Sequence, residues 1–369
     1  MSRRRHILHV LPDGSPGGGS TAVLGLCRDL LATGAFDVSL VTAPGSALLE
    51  RAEQEGIRTA ALDFFTARLD PRLRPRLAKQ IERFQPDIVH AHGARAGLPL
   101  AGLGSPAAAP LVYTVHGYHH ANKMLPLRWL GRLAERHIAA RADAVIFVSE
   151  GDRDRADREA ILARTAPKAS SILNGIDPAD FVEMEPGAER FDLIFAGRAH
   201  PQKNPLFMVD ILESLAGTGI RLLMIAGGPL EASLRARIAT SPARDRITWV
   251  GALPRREVLR ALRSARLLVL PSLWEGLPIA PIEALHLGVP VIASKIGGTR
   301  EILTDGEHGR LIDGFDPNDY AAAIREILDD TELYARLAQN GRRLVAERYL
   351  RSIGSAAHAR LYEALLEKR

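Results

Sequence analysis

The chain has 369 residues, of which 46% are hydrophobic and 25% charged, an ordinary balance for a soluble protein of two domains. No run approaches the roughly 18 consecutive apolar residues of a membrane-spanning helix, and the basic first residues lack the apolar stretch and cleavage site of a signal peptide. A single cysteine, Cys27, excludes an internal disulfide, so a cytoplasmic location is expected.

Positive charge is concentrated in the first half of the chain. The whole sequence has a net charge of +5, whereas residues 1–170 hold 23 Lys and Arg against 17 Asp and Glu. The clearest cluster consists of Arg68, Arg72, Arg74, Arg76, Lys79 and Arg83. Such a cluster is typical of a protein that meets nucleic acid, an anionic membrane or a phosphorylated substrate, and equally of a solvated arginine-rich surface.

Short apolar runs alternate with helical patterns along the first half. Strands are predicted at residues 7–11, 38–42, 87–91, 111–115 and 144–148, and helices at 22–33 and 73–84. Because these runs are apolar on both faces, we expect central parallel strands that are covered by helices on each side. The pattern predicts a doubly wound α/β domain.

The second half repeats this alternation. Strands are predicted at residues 193–196, 222–226, 247–250, 267–270, 291–293 and 310–312, and helices at 207–215, 230–238, 255–263, 281–287 and 317–329. A Pro/Gly-rich, acidic stretch at 174–190 separates the halves. We therefore expect two Rossmann-like domains, residues 1–175 and 176–345, that face each other across a ligand cleft. Residues 346–369 are expected to form a helix that packs back towards the first domain.

A glycine-rich loop follows the first predicted strand and reads GSPGGGS from Gly14 to Ser20. Glycines let the backbone approach a ligand closely, and free N–H groups at the start of the next helix favour anions. The spacing does not match the dinucleotide-binding pattern G-x-G-x-x-G. The loop therefore indicates either a phosphate site or a tight turn.

Histidines stand at the carboxyl ends of predicted strands. His116 follows one strand, and His90 and His92 end another. A histidine in that position faces the crevice of an open α/β sheet and can donate to a ligand oxygen, or it can bond to a neighbouring loop. His119 and His120 enlarge the group, but no Cys or Glu stands at ligand spacing, so no metal site is predicted.

Two motifs in the second half suit a sugar diphosphate. Arg198 and Lys203 lie on one loop after a predicted strand, where a guanidinium fork and an ammonium can bind phosphate oxygens. Glu275 and Glu283 stand eight positions apart around a Gly-Pro turn that starts a helix. Free N–H groups of Leu277, Ile279 and Ala280 can face an anion there, while the carboxylates accept from sugar hydroxyls.

Together these motifs resemble those of GT-B glycosyltransferases of family GT4, a group with many bacterial polysaccharide and glycolipid enzymes. The resemblance extends over nearly the whole chain and is carried by the glycine loop, DIVHAH, TVHGY, NGID, GR with a following KNP, the E-x7-E segment, GVPVIAS and GGTREI. The E-x7-E segment together with GR…K is its most specific part. The motif reads EGLPIA where the family more often has EGFGLP, which implies a reshaped sugar pocket.

The resemblance implies a role for each matching residue. Glu275 lies near the donor sugar, and Glu283 accepts from the ribose hydroxyls. Arg198 and Lys203 bind the donor diphosphate and stabilise the departing nucleotide, while His116 touches the transferred sugar. The amides of Gly18 and Gly19 approach the phosphates near the acceptor.

The resemblance further implies a retaining glycosyltransferase. Its donor is expected to be a nucleotide-diphosphate sugar, a UDP-sugar rather than a GDP-sugar, with no metal cofactor. Its acceptor is expected to be a glycan or a polyprenyl-linked lipid in cell-envelope, exopolysaccharide or lipopolysaccharide synthesis, with no nucleic-acid partner. A sugar-nucleotide 2-epimerase and a non-catalytic nucleotide-sugar-binding module are the alternatives. A nicotinamide dehydrogenase is disfavoured because its glycine fingerprint and ribose carboxylate are missing.

The segment 123–141 predicts a basic amphipathic helix. Leucines and Ile138 recur along one face, while Arg128, Arg132 and Arg136 recur every four positions beside Trp129. Such a helix can lie on anionic lipid at the inner membrane face, or it can cover a sheet with a solvated arginine side. Both interpretations stay open at the level of the sequence.

Overall fold

The structure, a computed structural model, describes residues 3–66, 70–103, 109–118, 124–162, 168–182, 185, 187 and 189–368. The chain divides into two compact units. The first comprises Met1–Gly175 with Arg351–Arg369, and the second Ile176–Leu350. Arg68, His119, His120 and Lys123 lie outside the described residues.

The first unit is a parallel α/β sheet. Its strands are β1 (Arg5–Val10), β2 (Phe36–Thr42), β3 (Arg58–Ala61), β4 (Ile88–His92), β5 (Leu111–Val115), β6 (Ala144–Phe147) and β7 (Lys168–Ser171). Its helices are α1 (Gly18–Ala32), α2 (Ala47–Gln54), α3 (Leu73–Phe84), α4 (Ala94–Gly102), α5 (Leu125–Ala139) and α6 (Glu150–Arg158). The strand order is β3-β2-β1-β4-β5-β6-β7, so the direction of winding reverses between β1 and β4.

The second unit repeats this topology. Its strands are β8 (Phe191–Ala196), β9 (Leu222–Ile225), β10 (Ile247–Val250), β11 (Ala265–Leu270), β12 (Val291–Ser294) and β13 (Gly309–Ile312). Its helices are α7 (Pro205–Glu213), α8 (Glu231–Ala239), α9 (Arg255–Arg263), α10 (Ile279–Leu287), α11 (Gly297–Ile302), α12 (Pro317–Asp329) and α13 (Thr331–Arg348). The order β10-β9-β8-β11-β12-β13 places the reversal between β8 and β11. The predicted doubly wound α/β class is confirmed.

Two strands were not predicted from the sequence, β3 and β7. They read RTAA and KASS, and each pairs along one side only, at an end of the first sheet. Because an edge strand packs against fewer neighbours, small and polar residues are tolerated there and the apolar run that marks a central strand is absent. The helix predicted at 22–33 begins earlier, at Gly18, inside the glycine-rich loop.

The last helix, α14 (Arg351–Glu367), belongs to the first unit and packs on α1. It begins five residues later than the predicted 346, since α13 runs to Arg348. Arg351 binds the carboxylate of Asp29 through two N–H groups, at 2.8 and 2.9 Å, and the Ser355 hydroxyl donates to the same carboxylate at 2.6 Å. Within the described part of the chain, the helices lack the length and apolarity needed to cross a membrane.

A buried carboxyl lies beneath α5. Glu135 is 6% exposed, and the Tyr113 hydroxyl on β5 donates to its Oε2 at 2.7 Å. Burial raises the pKa of Glu135 to about 7, because a charged carboxylate is poorly solvated there. Between pH 4.5 and pH 7 the unfolded chain therefore releases a proton that the folded chain retains, and stability falls as pH rises through this window.

We expect Glu135→Gln to remove this pH dependence. The amide oxygen still accepts from Tyr113, but it cannot ionise, so the variant gains up to about 3 kcal/mol over the wild type between pH 5 and pH 7.5. Urea unfolding of both proteins at the two pH values measures the difference. An equal pH response in variant and wild type would contradict the assignment.

Candidate functional site

Two loops leave the second sheet where its winding reverses. The β8 loop (residues 197–204) follows β8, and the β11 loop (residues 271–278) follows β11, its hydrogen-bonded neighbour. Open α/β sheets bind ligands at the carboxyl ends of the strands at such a reversal. The topology therefore brings the Arg198–Lys203 motif and the first glutamate of the E-x7-E motif to one edge.

An ion pair joins these loops. Lys203 Nζ binds the carboxylate of Glu275, whose side chain is 6% exposed. The Gln202 amide donates to Glu275 Oε2 at 3.2 Å and to the Trp274 carbonyl at 3.1 Å. The Leu273 N–H donates to the Gln202 carbonyl at 2.8 Å. Both oxygens of Glu275 are thus held, and Gln202, to which the sequence gave no role, is part of the site.

Arg198 is exposed at the start of the β8 loop. It has no ion pair with any residue that the structure describes. A Cβ at the preceding Gly197 would lie 3.4 Å from Lys203 Cγ, so the lysine side chain passes directly beside this turn. The β8 loop therefore presents an accessible guanidinium next to a partly neutralised ammonium.

Helix α10 starts immediately after the β11 loop. Pro278 is its cap residue and makes no side-chain cap, so Ile279 and Ala280 carry the first helical N–H groups. Leu277 lies one residue before the cap. Pro281 is the third helical residue, so the helix begins two residues earlier than predicted and Glu283 lies on its second turn.

Glu283 is buried and already paired. Its carboxylate binds Arg255, the first residue of α9, and Arg255 also binds Asp180 at 3.2 Å. Burial lowers the pKa of Arg255, but the two carboxylates outweigh it and the pKa is raised overall. Arg255 therefore keeps its charge beside Glu283. No motif in the sequence indicated this residue.

A glycine in the GGTREI segment fixes the position of the β11 loop. The backbone of Gly298 lies so close to the Gly276 carbonyl that a Cβ would collide with that oxygen. The β11 loop is consequently held by a backbone contact as well as by the Lys203–Glu275 pair. Any larger residue at position 298 would displace the loop that carries Glu275.

The predicted glycines of the first unit start α1. Gly17 is the cap residue and provides no side-chain cap, and no acidic residue occupies the first turn. The N–H groups of Gly18 and Gly19 are therefore free of intrahelical partners. Open space surrounds the position of a Cβ on Gly19. This glycine is not required by packing, in contrast to Gly14, where a Cβ would collide with Ser46.

His116 ends a group of buried histidines. His9, His90 and His92 are at most 3% exposed, and His358 on α14 lies beside them, with its ring centroid 5.8 Å from that of His90. We call His9, His90, His92, His116 and His358 the histidine row. The sequence missed His9, the last residue but one of β1, which is in register with His90 on the neighbouring strand β4.

Three of these histidines have nitrogens close enough together to bind one metal ion. One nitrogen each from His9, His90 and His92 lies within 4.8 Å of the other two. However, the His90 nitrogens face the Tyr362 and Thr114 hydroxyls, both at 2.6 Å, and the rings of His90 and His92 are tilted by 30° to each other, with centroids 4.1 Å apart. The protein's own groups therefore satisfy His90.

A small cavity opens beside His116. It has a volume of about 40 Å³ and is lined by His92, Thr114, Asn174 and His358, among others. Because one water needs roughly 10–15 Å³ of such volume, the enclosed part of this cavity has room for a few waters. Asn174 belongs to the NGID motif, which this cavity links to the histidine row.

Burial keeps four members of the histidine row neutral, namely His9, His90, His92 and His358. It lowers the pKa of His9 to about 3 and that of His358 to about 4, and it holds the pKa values of His90 and His92 well below the ordinary value. As pH falls below 6.5, these histidines bind protons in the unfolded chain but not in the folded chain. The free energy of unfolding is therefore lost as pH falls from 6.5 towards 4.

We expect the unfolded chain to bind up to four more protons than the folded chain at low pH. Each of these protons lowers the free energy of unfolding by about 1.4 kcal/mol per pH unit. His358→Gln removes one of them, so its stability should fall less steeply with acidification. Chemical unfolding at several pH values between 7 and 4.5 gives the slope for both proteins. Parallel slopes would mean that His358 does not titrate as proposed.

Comparison with known proteins agrees with this architecture. The family model "Glycosyl transferase 4-like domain" matches residues 17–166, and "Glycosyl transferases group 1" matches residues 178–344. The chain is 30% identical over 295 residues to alpha-maltose-1-phosphate synthase of Mycolicibacterium smegmatis, with 70% of each chain covered. It is 29% identical over 275 residues to UDP-Gal:alpha-D-GlcNAc-diphosphoundecaprenol alpha-1,3-galactosyltransferase of Escherichia coli, again with 70% of each covered.

Among solved structures, Anabaena HepE in complex with UDP and glucose superimposes with a TM-score of 0.82. The sequence identity is 19%, and the match covers 98% of this chain and 100% of that one. Both family models, the curated relatives and the two doubly wound sheets agree, and the chain belongs to the GT4 family of glycosyltransferases with the GT-B fold.

Proposed function

We propose that the protein is a retaining glycosyltransferase that takes its sugar from a UDP-sugar. The observation that carries the proposal is the joined pair of loops in the second unit, with Lys203 and Gln202 bound to Glu275 and Arg198 exposed beside them. The UDP bound in the HepE structure and the UDP-Gal named for the Escherichia coli relative support this donor.

In this proposal the cations stabilise the leaving group. Transfer of the sugar leaves a nucleoside diphosphate with growing negative charge, and Arg198 can bind two of its oxygens as a fork. Lys203 has three N–H donors, so it can bind a phosphate oxygen and still hold Glu275. The amides of Ile279 and Ala280 add the partial positive charge of a helix start. These groups act without a metal ion.

The carboxylates orient the donor. Arg255 binds Oε1 of Glu283. The other carboxylate oxygen of Glu283 therefore accepts hydrogen bonds from the ribose hydroxyls. Glu275, fixed at both oxygens, stabilises and positions the sugar rather than attacking it. In the first unit, His116 contacts the transferred sugar, and the amides of Gly18 and Gly19 donate hydrogen bonds to phosphate oxygens. The acceptor oxygen then attacks the anomeric carbon from the face that the nucleotide leaves. The bond to the nucleotide phosphate breaks as the new bond forms, and the departing phosphate takes up any proton that the acceptor oxygen carries, so the anomeric configuration is retained.

The acceptor in this proposal is a glycan or a polyprenyl-linked lipid of the cell envelope or an exopolysaccharide. The diphosphoundecaprenol acceptor named for the Escherichia coli relative supports it. Incubation with UDP- and GDP-sugars, with and without polyprenyl-phosphate acceptors, tests the assignment. We expect UDP release with transfer to the lipid and the product to keep the donor's anomeric configuration. Isomerised sugar, or binding without release, would contradict it.

Arg198→Ala and Lys203→Ala should each lower turnover by about 10²–10³, the effect of removing one group that stabilises developing charge. Arg263→Ala is the matched control, because Arg263 is an exposed arginine on α9 outside these loops. EDTA should leave wild-type turnover unchanged. Near wild-type turnover of either site variant, or strict dependence on a divalent cation, would overturn this account.

The surface of α5 supports a membrane-bound acceptor. Six of the eleven large hydrophobic side chains that are exposed in the described chain lie at positions 124–133, including Trp129 at 60%, Leu130 at 55% and Leu133 at 39%. Glu135, Ile138 and Ala139 form the buried side instead. The leucines and Ile138 thus do not share one packed face, and Glu135, the one acid on the helix, points inward. Arginines flank the apolar side, which suits anionic lipid.

Replacing Arg128, Arg132 and Arg136 by Ser should weaken binding to vesicles that contain phosphatidylglycerol by roughly 100-fold, since each cation near the surface contributes about 1 kcal/mol. Serine at the exposed arginines 256, 263 and 336 of the second unit removes the same charge and is the control. Co-sedimentation measures both variants. Equal losses would indicate a net-charge effect, and no loss would exclude α5.

A further inference from the structure

The histidine row contains a continuous line of hydrogen bonds that ends at His116. His9 Nδ1 lies 3.0 Å from His92 Nε2, and His92 Nδ1 lies 3.1 Å from His116 Nε2. The strands explain the line. His9 is in register with His90, and His92 with Thr114, two residues before His116. Because side chains alternate along a strand, all of these groups lie on one face of the first sheet.

Each of these two bonds contains a single proton. The rings of His9 and His92 are neutral, because burial lowers their pKa values far below neutrality, so each of these two rings has one N–H. Only two arrangements satisfy both bonds. Either His9 donates to His92 and His92 donates to His116, or His116 donates to His92 and His92 donates to His9.

The far end of the line decides between them. His9 Nε2 is fully buried and has no hydrogen-bond partner. In the second arrangement His9 would carry its proton there, as a buried N–H without an acceptor. Orphaned buried N–H groups are rarer in proteins than unsatisfied acceptors. The first arrangement leaves only a bare nitrogen lone pair at this position and is favoured.

We propose that His92, held by His9, is a positioning residue that fixes His116 in the tautomer protonated on Nδ1. His116 Nε2 accepts from His92, so the proton of the ring is committed to the other nitrogen. This inference rests on the proposed function, in which His116 contacts the transferred sugar, and deepens it. It assigns Nδ1–H as the atom that donates to a sugar oxygen, and it excludes Nε2 from that contact.

The tautomer can be read directly in the full-length protein. Two-bond ¹H–¹⁵N spectra of histidine-labelled enzyme distinguish a protonated from a bare ring nitrogen, and the signals that His116→Asn removes identify His116. We expect Nδ1 to be protonated and Nε2 bare in the wild type without substrate. A His116 protonated on Nε2 would overturn the inference. This reading needs no transferase activity, so it is independent of a failure of the proposed function.

Two substitutions of His92 separate positioning from packing. Asparagine places an amide N–H close to the position of Nδ1 and keeps the donor, whereas His92→Leu fills similar space without one. We expect H92N to preserve the His116 tautomer and most of the turnover. H92L should release the tautomer and lower kcat by roughly tenfold to a hundredfold, as loss of a supporting hydrogen bond does elsewhere, with donor KM little changed. Equal losses in both variants, with the tautomer intact, would indicate a structural role only.

Discussion

A parallel sheet places the carboxyl ends of all its strands at one edge, and the functional groups of this protein depend on that constraint. In the second unit, hydrogen-bonded β8 and β11 deliver Arg198 and Glu275 to the same edge although 77 positions separate them in the sequence. In the first unit, β1, β4 and β5 deliver the glycine-rich loop, His92 and His116 in the same way. Loop chemistry can vary at this edge while the strands that position it stay apolar.

Each glutamate of the E-x7-E motif meets a cation within its own unit. Glu275 is bound by Lys203, and buried Glu283 is bound by Arg255. An unpaired carboxylate at these depths would be costly, and it would also repel an incoming diphosphate. Pairing solves both problems, since the carboxylate oxygens can still accept hydrogen bonds while their charge is offset. In the proposed function Arg198, exposed and outside these pairs, supplies net positive charge to the ligand.

The sequence predicted the sheets, and the loops and helix that hold the candidate site residues, because those signals are local. Apolar runs located the central strands, and the E-x7-E and GR…K spacings located Glu275, Glu283, Arg198 and Lys203 on the correct loops and helix. The partners Arg255 and His9 were missed, because their significance arises from strand register and helix docking, which no local pattern encodes. The strands β3 and β7, at the edges of the first sheet, were missed for the opposite reason. Both strands are local features, but their sequences, RTAA and KASS, contain no apolar run that would indicate a strand.

Helix α5 is oriented against the usual hydrophobic preference. It buries Glu135, whose ionisation is disfavoured there, and exposes Trp129, Leu130 and Leu133, each of which would gain about 1.5–3 kcal/mol from full burial. Rotation by half a turn would reverse this, but it would remove Ile138 and Ala139 from the core and break the bond from Tyr113 to Glu135. The same packing thus enforces both the buried acid and the apolar surface. In the proposed function this surface meets a bilayer interface, which would bury the apolar side chains, and the arginines beside them favour an anionic one.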